Sequence, residues 1–147
     1  MKRHTREVVG IVPMSGLASR IAPLPCSKEI FPIGFSNAAA KTNIRPKVAS
    51  HYLLEKMRFA GIRNAYLVLR KGKWDIPAYW GDGEILDMNL AYLLMNSAYG
   101  VPYTIDQAFS FVAEHTVAFG FPDIIFQPED AYTQLLSILD AEDADIV

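Results

Sequence analysis

Apolar and polar positions along the chain fall into blocks that predict strand and helix in turn. Val8-Val9-Gly10-Ile11-Val12-Pro13 is a short continuous apolar run, the pattern of a strand buried on both faces. Over residues 48–60, Ala49, Leu53, Met57 and Ala60 share one helical face, and Gly61 supplies the stop. Ala65-Tyr66-Leu67-Val68-Leu69 repeats the buried-strand pattern. It runs into the turn-like Arg70-Lys71-Gly72-Lys73 and a short helix over residues 74–80. Residues 88–95 predict another strand, 103–112 a short helix and 116–121 a third buried strand. The last helix has the clearest pattern: Pro128 suits its first turn, Glu129 and Asp130 complement its dipole, and Tyr132, Leu135, Leu136 and Leu139 form one stripe. Such alternation predicts an α/β fold with a mostly parallel sheet flanked by helices. No internal repeat or low-complexity tract interrupts it, so residues 1–147 read as one domain.

The first strand opens directly into small residues, Met14-Ser15-Gly16-Leu17-Ala18-Ser19-Arg20. Lys28 follows within Pro23-Leu24-Pro25-Cys26-Ser27-Lys28-Glu29-Ile30-Phe31-Pro32. A strand that ends in small residues lets backbone N–H groups approach a phosphate chain, and an Arg and a Lys just beyond can neutralise its charge. The arrangement suits a nucleoside triphosphate.

These residues resemble the opening signature of the sugar-phosphate nucleotidyltransferases, or nucleotide-sugar pyrophosphorylases. That signature reads small-Gly-x-Gly-Thr-Arg, a Pro-Leu pair, then Pro-Lys before a hydrophobic pair and a Pro. Ser15-Gly16-Leu17-Ala18-Ser19-Arg20, Pro23-Leu24 and Lys28-Glu29-Ile30-Phe31-Pro32 stand in for it. Pro13 with Lys28-Glu29 is most similar to the UTP–glucose-1-phosphate uridylyltransferases. The likeness continues through Arg45-Pro46, the helix ending Ala60-Gly61-Ile62, Trp80-Gly81-Asp82-Gly83, Pro102 with Ile105-Asp106-Gln107-Ala108-Phe109, and Phe119-Gly120-Phe121-Pro122-Asp123. There are departures. Ala18, Ser15 and Thr104 stand at family glycines, the stretch before Lys28 is short, Phe121 and Pro122 are additional, and residues 35–44 read as an insertion.

The resemblance implies a Rossmann-like sheet, and residues 1–147 as the N-terminal half of a larger nucleotidyltransferase domain. It implies Mg²⁺-dependent transfer of a nucleotidyl group, uridylyl or thymidylyl, from UTP or dTTP to a sugar 1-phosphate with release of pyrophosphate. Arg20 and Lys28 would be the catalytic cations: Arg20 on the leaving pyrophosphate, Lys28 between the attacking phosphate and the α-phosphate. Ser15, Gly16, Leu17, Ala18, Ser19, Pro102 and Gln107 would bind the nucleotide. Asp123 would hold Mg²⁺, although after Pro122 it equally suits a turn or a helix cap. Asp145-Ile146-Val147 reads as the opening of a further strand, and family members are longer, their later half supplying much of the sugar site and a second metal carboxylate. The chain alone is therefore expected to lack turnover, and an unfinished sheet edge would favour self-association into a homo-oligomer.

Composition narrows the setting. The chain has 147 residues, 51% apolar content and a formal charge of −2, enough for one ordinary core and without a basic field for nucleic acid. Cys26 is alone, which excludes a disulfide framework and points to a reducing, cytoplasmic compartment. The first apolar run is too short for a secretory core or a membrane span, and Lys2, Arg3 and Arg6 before it read as a solvated terminus. Trp74, Trp80 and the Tyr and Phe residues read as core, because no basic residues interleave them as in a stacking platform. His4, His51 and His115 lack metal-ligand spacing, Asp82 between two glycines reads as a turn residue, and Cys26 as an unreactive thiol.

Two other readings fit parts of the chain. A non-catalytic nucleotide- or sugar-nucleotide-binding module, acting as a regulatory or assembly subunit, would explain the altered loop. A glycosyltransferase would want an Asp-x-Asp metal motif; Asp143-Ala144-Asp145 has that form but reads as a solvated acidic loop after the last helix.

Overall fold

The computed structural model describes residues 6–37 and 44–147. Lys2, Arg3 and His4, and residues 38–43 of the expected insertion, lie outside the described residues. The first apolar run is strand β1, Val8–Met14. Its residues alternate between two cores. Val12 and Met14 join one cluster, with Val8 packed against it, and Val9 and Ile11 join the other. Strand β4 (Asn64–Arg70) lies parallel on one side of β1 and β6 (Thr116–Phe119) on the other, while β5 (Asn89–Met95) continues the sheet beyond β4. The order is β5-β4-β1-β6, wholly parallel, as the alternating pattern predicts.

Helix α1 (Ala49–Phe59) covers one face, burying Leu53, Leu54 and Met57 against β1 and β4. It comes very close. A Cβ at Gly10 would stand 2.9 Å from Met57 Sδ and 3.0 Å from the Ala65 Cβ, so only glycine lets helix and strand meet there. Gly61, at φ +84°, ends α1 as expected, with Ile62 N–H bonded back to Met57 O at 3.0 Å. Helix α2 (Asp75–Trp80) adds Ile76 and Trp80 to the same face. Between β1 and α1 the chain also forms an antiparallel ribbon, β2 (Pro32–Asn37) with β3 (Ile44–Val48).

The opposite face is covered by α3 (Val101–Asp106) and α4 (Phe109–Val112), where a single helix over 103–112 is expected. The break follows from packing. Ala108 is fully buried with Val112, and tight bonds from Ala108 N–H to Ile105 O (3.0 Å) and from Phe111 N–H to Ala108 O (2.9 Å) shorten the turn. Five other expectations need correction. Strand β6 ends at Phe119 and buries only Ala118, because it pairs with β1 alone and forms the sheet's edge. Helix α5 (Ala131–Ala141) starts after Pro128, and of its apolar stripe only Tyr132 is buried while Leu135 is exposed. Glu129 pairs with Lys56 of α1 at 2.9 Å instead of facing the dipole of α5. Trp74 is exposed, since Ile76 and Trp80 take the inward face of α2. Asp145-Ile146-Val147 forms no strand: three residues carry too few ladder bonds to hold one.

Tyr132 fastens α5 to the sheet. Its hydroxyl donates to Phe119 O at 2.8 Å, where β6 ends. Burial pushes its pKa up to about 12, and Tyr92, whose hydroxyl donates to Gly81 O, is likewise raised to about 12, by burial and then by Asp82. A raised folded-state pKa contributes stability that is complete below the unfolded value and is lost as pH climbs to the folded one. The protein should therefore lose stability between about pH 10 and 12. Tyr132→Phe should cost about 1 kcal/mol at neutral pH through the orphaned Phe119 carbonyl, and should flatten the alkaline loss. Urea midpoints measured from pH 7 to 12 check both.

Candidate functional site

The order of the sheet fixes where a site can form. From β1 the chain moves outward to β4 and β5, then returns to the other side of β1 as β6. The β1–β6 pairing ends at Ile11 and Phe119, and in a sheet of this order the crevice lies at the carboxyl ends of these two strands. This switch in direction is the place where open α/β sheets bind ligands.

The loop expected to hold phosphate lines that crevice. Among the described residues, no acceptor takes the backbone N–H groups of residues 16–20. Ala18 holds φ at +54°, a left-handed conformation at a position where the resembled signature has glycine. Its Cβ costs roughly 1 kcal/mol there. Gly16 and Leu17 are exposed beside it.

Lys28 crosses the crevice. Its Nζ bonds Asp123 Oδ2 at 2.6 Å, and it passes 3.6 Å from where a Gly16 Cβ would stand. The structure thus brings together the loop after β1, the expected phosphate-bridging lysine and the expected metal carboxylate, although the two extra residues before Asp123 break the likeness there. Both side chains are partly solvated, at 25% and 37% exposure. Arg20 is exposed and has no ion pair among the described residues, so it is not joined to this group.

Ser15 is turned inward. Its hydroxyl meets Thr104 Oγ1 at 2.9 Å, and Thr104 donates on to Gly100 O at 3.0 Å. Both residues are buried, and both stand where the resembled family has glycine: the two departures touch each other. Pro102 is exposed at the start of α3, and the Gln107 amide donates to Tyr103 O at 3.2 Å, back into its own helix. These two flank Thr104, and among the described residues neither hydrogen-bonds the loop.

Beside the loop lies a cleft of about 320 Å³ whose walls include Leu17, Ala18, Cys26, Lys28, Arg70 and Asp75. Burial, then the carboxylates of Asp75 and Glu29, push the Cys26 thiol pKa up, which disfavours the reactive thiolate. Arg70, Lys73 and Asp75 were not legible as site residues, because the run after β4 reads as a solvated turn. Lys73 is instead buried, with Nζ at 2.7 and 2.8 Å from the two carboxylate oxygens of Glu29, itself fully buried. Burial drives the Lys73 ammonium below its ordinary range, against the pull of Glu29. Asp75 accepts from Ser27 N–H at 2.6 Å and from Ser27 Oγ–H at 2.7 Å. Burial would raise its pKa, but these two bonds, together with the backbone N–H groups of Asp75 and Ile76, outweigh it and hold the carboxyl low.

The remaining candidates have structural partners. His51 lies 3.1 Å from Glu55 and edge-on to Trp80, and His115 is 3.8 Å from Glu7. Asp82 accepts from Glu84 N–H at 3.1 Å, an Asx turn. Among the described residues no three His, Cys, Asp or Glu side chains gather as a metal site, and no helix is long and apolar enough to cross a membrane.

No family model matches the chain, and no curated protein matches it. Among solved structures it is similar to a Bacillus anthracis protein assigned as a glucose-1-phosphate thymidylyltransferase and solved with sucrose. The TM-score is 0.74 at 18% identity, over 88% of this chain and 50% of that one. It is also similar to Rv0371c of Mycobacterium tuberculosis H37Rv, with a TM-score of 0.65 at 13% identity, over 95% of this chain and 63% of that one. The chain therefore has a nucleotidyltransferase-like fold and spans half the length of the first of these proteins. The particular likeness to UTP-using enzymes is not part of what these structures show.

The Glu29–Lys73 pair makes a sharp stability test. Lys73→Met leaves a buried carboxylate without its partner and should cost about 3–5 kcal/mol. Glu29→Gln combined with Lys73→Met removes both charges and should cost much less. Urea denaturation of the two variants decides, and equal midpoints would show that the pair is solvated.

Proposed function

We propose that this chain forms the nucleotide-binding part of a nucleotidyltransferase that moves a uridylyl or thymidylyl group to a sugar 1-phosphate. The observation that carries the reading is the meeting of Lys28 and Asp123 across the crevice, beside a loop whose N–H groups meet no acceptor among the described residues. In this chemistry a sugar 1-phosphate oxygen attacks the α-phosphorus in line and pyrophosphate leaves, so the protein has to position the reactants and neutralise charge. The N–H groups of residues 16–20 would take phosphate oxygens, with the loop backbone from Ser15 to Ser19 as cradle. Lys28, already in the crevice, would lie between the attacking phosphate and the α-phosphate. Arg20, exposed and unpaired among the described residues, is free to swing its fork onto the leaving pyrophosphate. Pro102 and Gln107 would approach the base.

The donor set at Asp123 fits Mg²⁺. Among the described residues only Oδ2 is engaged, and this cation is commonly held by one or two carboxylates together with substrate phosphates and water. Bound there it would neutralise phosphate charge. A second reading, a non-catalytic nucleotide-binding module, draws support from the described residues, among which Asp123 is the one carboxylate paired with Lys28 and no three potential ligands cluster.

UTP or dTTP with Mg²⁺ should raise the melting temperature more than ATP does, since a ligand stabilises the state that binds it. Equal shifts for all triphosphates would remove the base preference, and no shift would count against the site. Pyrophosphate release with a panel of sugar 1-phosphates separates the two readings, because the module binds without turnover.

Where turnover is measurable, Arg20→Ala or Lys28→Ala should lower kcat/KM by at least about tenfold, about 1.4 kcal/mol of transition-state stabilisation. Lys71→Ala, on the exposed turn, should change it little. Asp123→Asn should weaken the dependence on Mg²⁺, and an unchanged metal titration would leave Asp123 as a turn residue that holds Lys28.

A further inference from the structure

Lys28 stands between two residues that are each tied down by the same distant segment. On one side, Ser27 gives both its N–H and its hydroxyl to the carboxylate of Asp75, at 2.6 and 2.7 Å. On the other, the buried carboxylate of Glu29 takes both bonds from Lys73, at 2.7 and 2.8 Å. Asp75 and Lys73 are two residues apart, just after β4, and they approach the two neighbours of Lys28 across more than forty positions of sequence. The segment they hold has little regular structure of its own. Only one 3₁₀ turn, Lys28–Ile30, follows Ser27. Without the ties, the backbone at Lys28 would be held by that turn and by the burial of Ile30.

We infer that Asp75 and Lys73 are positioning residues for Lys28, clamping Ser27 and Glu29 so that the lysine projects across the crevice toward Asp123. The clamp has a sound physical basis. Asp75 makes two hydrogen bonds to a single partner residue, which fixes orientation as well as distance. The Glu29–Lys73 pair is buried at both ends, so swinging Glu29 outward would strand the Lys73 ammonium without a partner. With its neighbours fixed on either side, the backbone of Lys28 has little freedom, and its long side chain needs to order only its own rotors to reach Asp123. The same segment lines the cleft through Arg70, Gly72, Lys73 and Asp75, so the wall of the cleft and the aim of the lysine form one unit. Because this role for Lys28 rests on the proposed function, its test needs one readout independent of nucleotide.

Asp75→Ala and Asp75→Asn, in the full chain, provide it. Two measurements require no ligand: hydrogen exchange at the Ser27 amide, and acetylation of Lys28 by acetic anhydride relative to the exposed Lys71 in the same sample. Asp75→Ala should speed both by at least about threefold, and Asp75→Asn, which keeps one acceptor, should fall between it and the parent. The third measurement is UTP affinity in the presence of Mg²⁺, in a cycle with Lys28→Ala. If Asp75 acts through Lys28, Asp75→Ala should weaken UTP binding at least about fivefold in the parent and have no further effect once Lys28 is gone. An unchanged Lys28 acetylation rate in a folded Asp75→Ala protein would overturn the clamp, as would an equal loss of UTP affinity in both backgrounds. Wild-type UTP affinity in Lys28→Ala alone would instead overturn the proposed role of Lys28 and leave the clamp to be judged by exchange and acetylation.

Discussion

Everything in this molecule is arranged around the burial of one strand. β1 has a parallel neighbour along each edge and a helical layer on each face, and Val9, Ile11, Val12 and Met14 are all but inaccessible. A strand so enclosed can be reached only at its ends. The helices that cover it must cross on opposite faces to serve β4 on one side and β6 on the other, which opens the crevice at the carboxyl end. Gly10 sets how closely α1 can approach, so the same strand determines core packing at its middle and chemistry at its tip.

Beyond β1 the chain changes the way it is held. The segment from Ser15 to Phe31 has no ladder and one short helical turn, so apolar packing alone could not place a side chain there to within an ångström. Polar ties do it instead. Ser15 is bonded to Thr104, Ser27 to Asp75 and Glu29 to Lys73, each a long-range contact with buried or half-buried partners. Buried polar pairs add little net stability against an apolar replacement, but a pair that loses one member is costly, and that asymmetry makes them good at fixing geometry.

The elements that were legible in the sequence are those whose burial is continuous. β1, β4 and α1 follow their apolar patterns to within a residue or two, because both faces of these strands and one full face of the helix are covered; β5, at the other sheet edge, still buries Leu90 and Met95. Legibility fails where burial is partial. At the sheet edge, β6 needed only Ala118 inside, and α5 buries little beyond Tyr132, so neither apolar run could report its own exposure. Lys73 and Asp75 were hidden for a different reason. Cations and glycine after a strand read as a solvated turn, and only the folding of Glu29 and Ser27 against that turn makes them internal. Ser15 and Thr104 were visible as departures from a glycine pattern, but their contact was not, since nothing local joins residues 89 positions apart.

The contact between Lys28 and Asp123 has a different character from the ties around it. Its partners are partly solvated, and an ion pair in that setting is worth only about 0–1 kcal/mol. The buried pair beside it cannot be exchanged without a large penalty, whereas this one can be opened by any anion that offers Lys28 equal company. On the proposed reading that difference is functional. A lysine meant to meet a phosphate must be held firmly at its backbone and loosely at its ammonium, and this chain places the firm contacts on Ser27 and Glu29 and the loose one on Nζ. On that reading Asp123 would keep the cation extended, and its carboxylate would be free to hold a metal once phosphate oxygens took its place at Lys28.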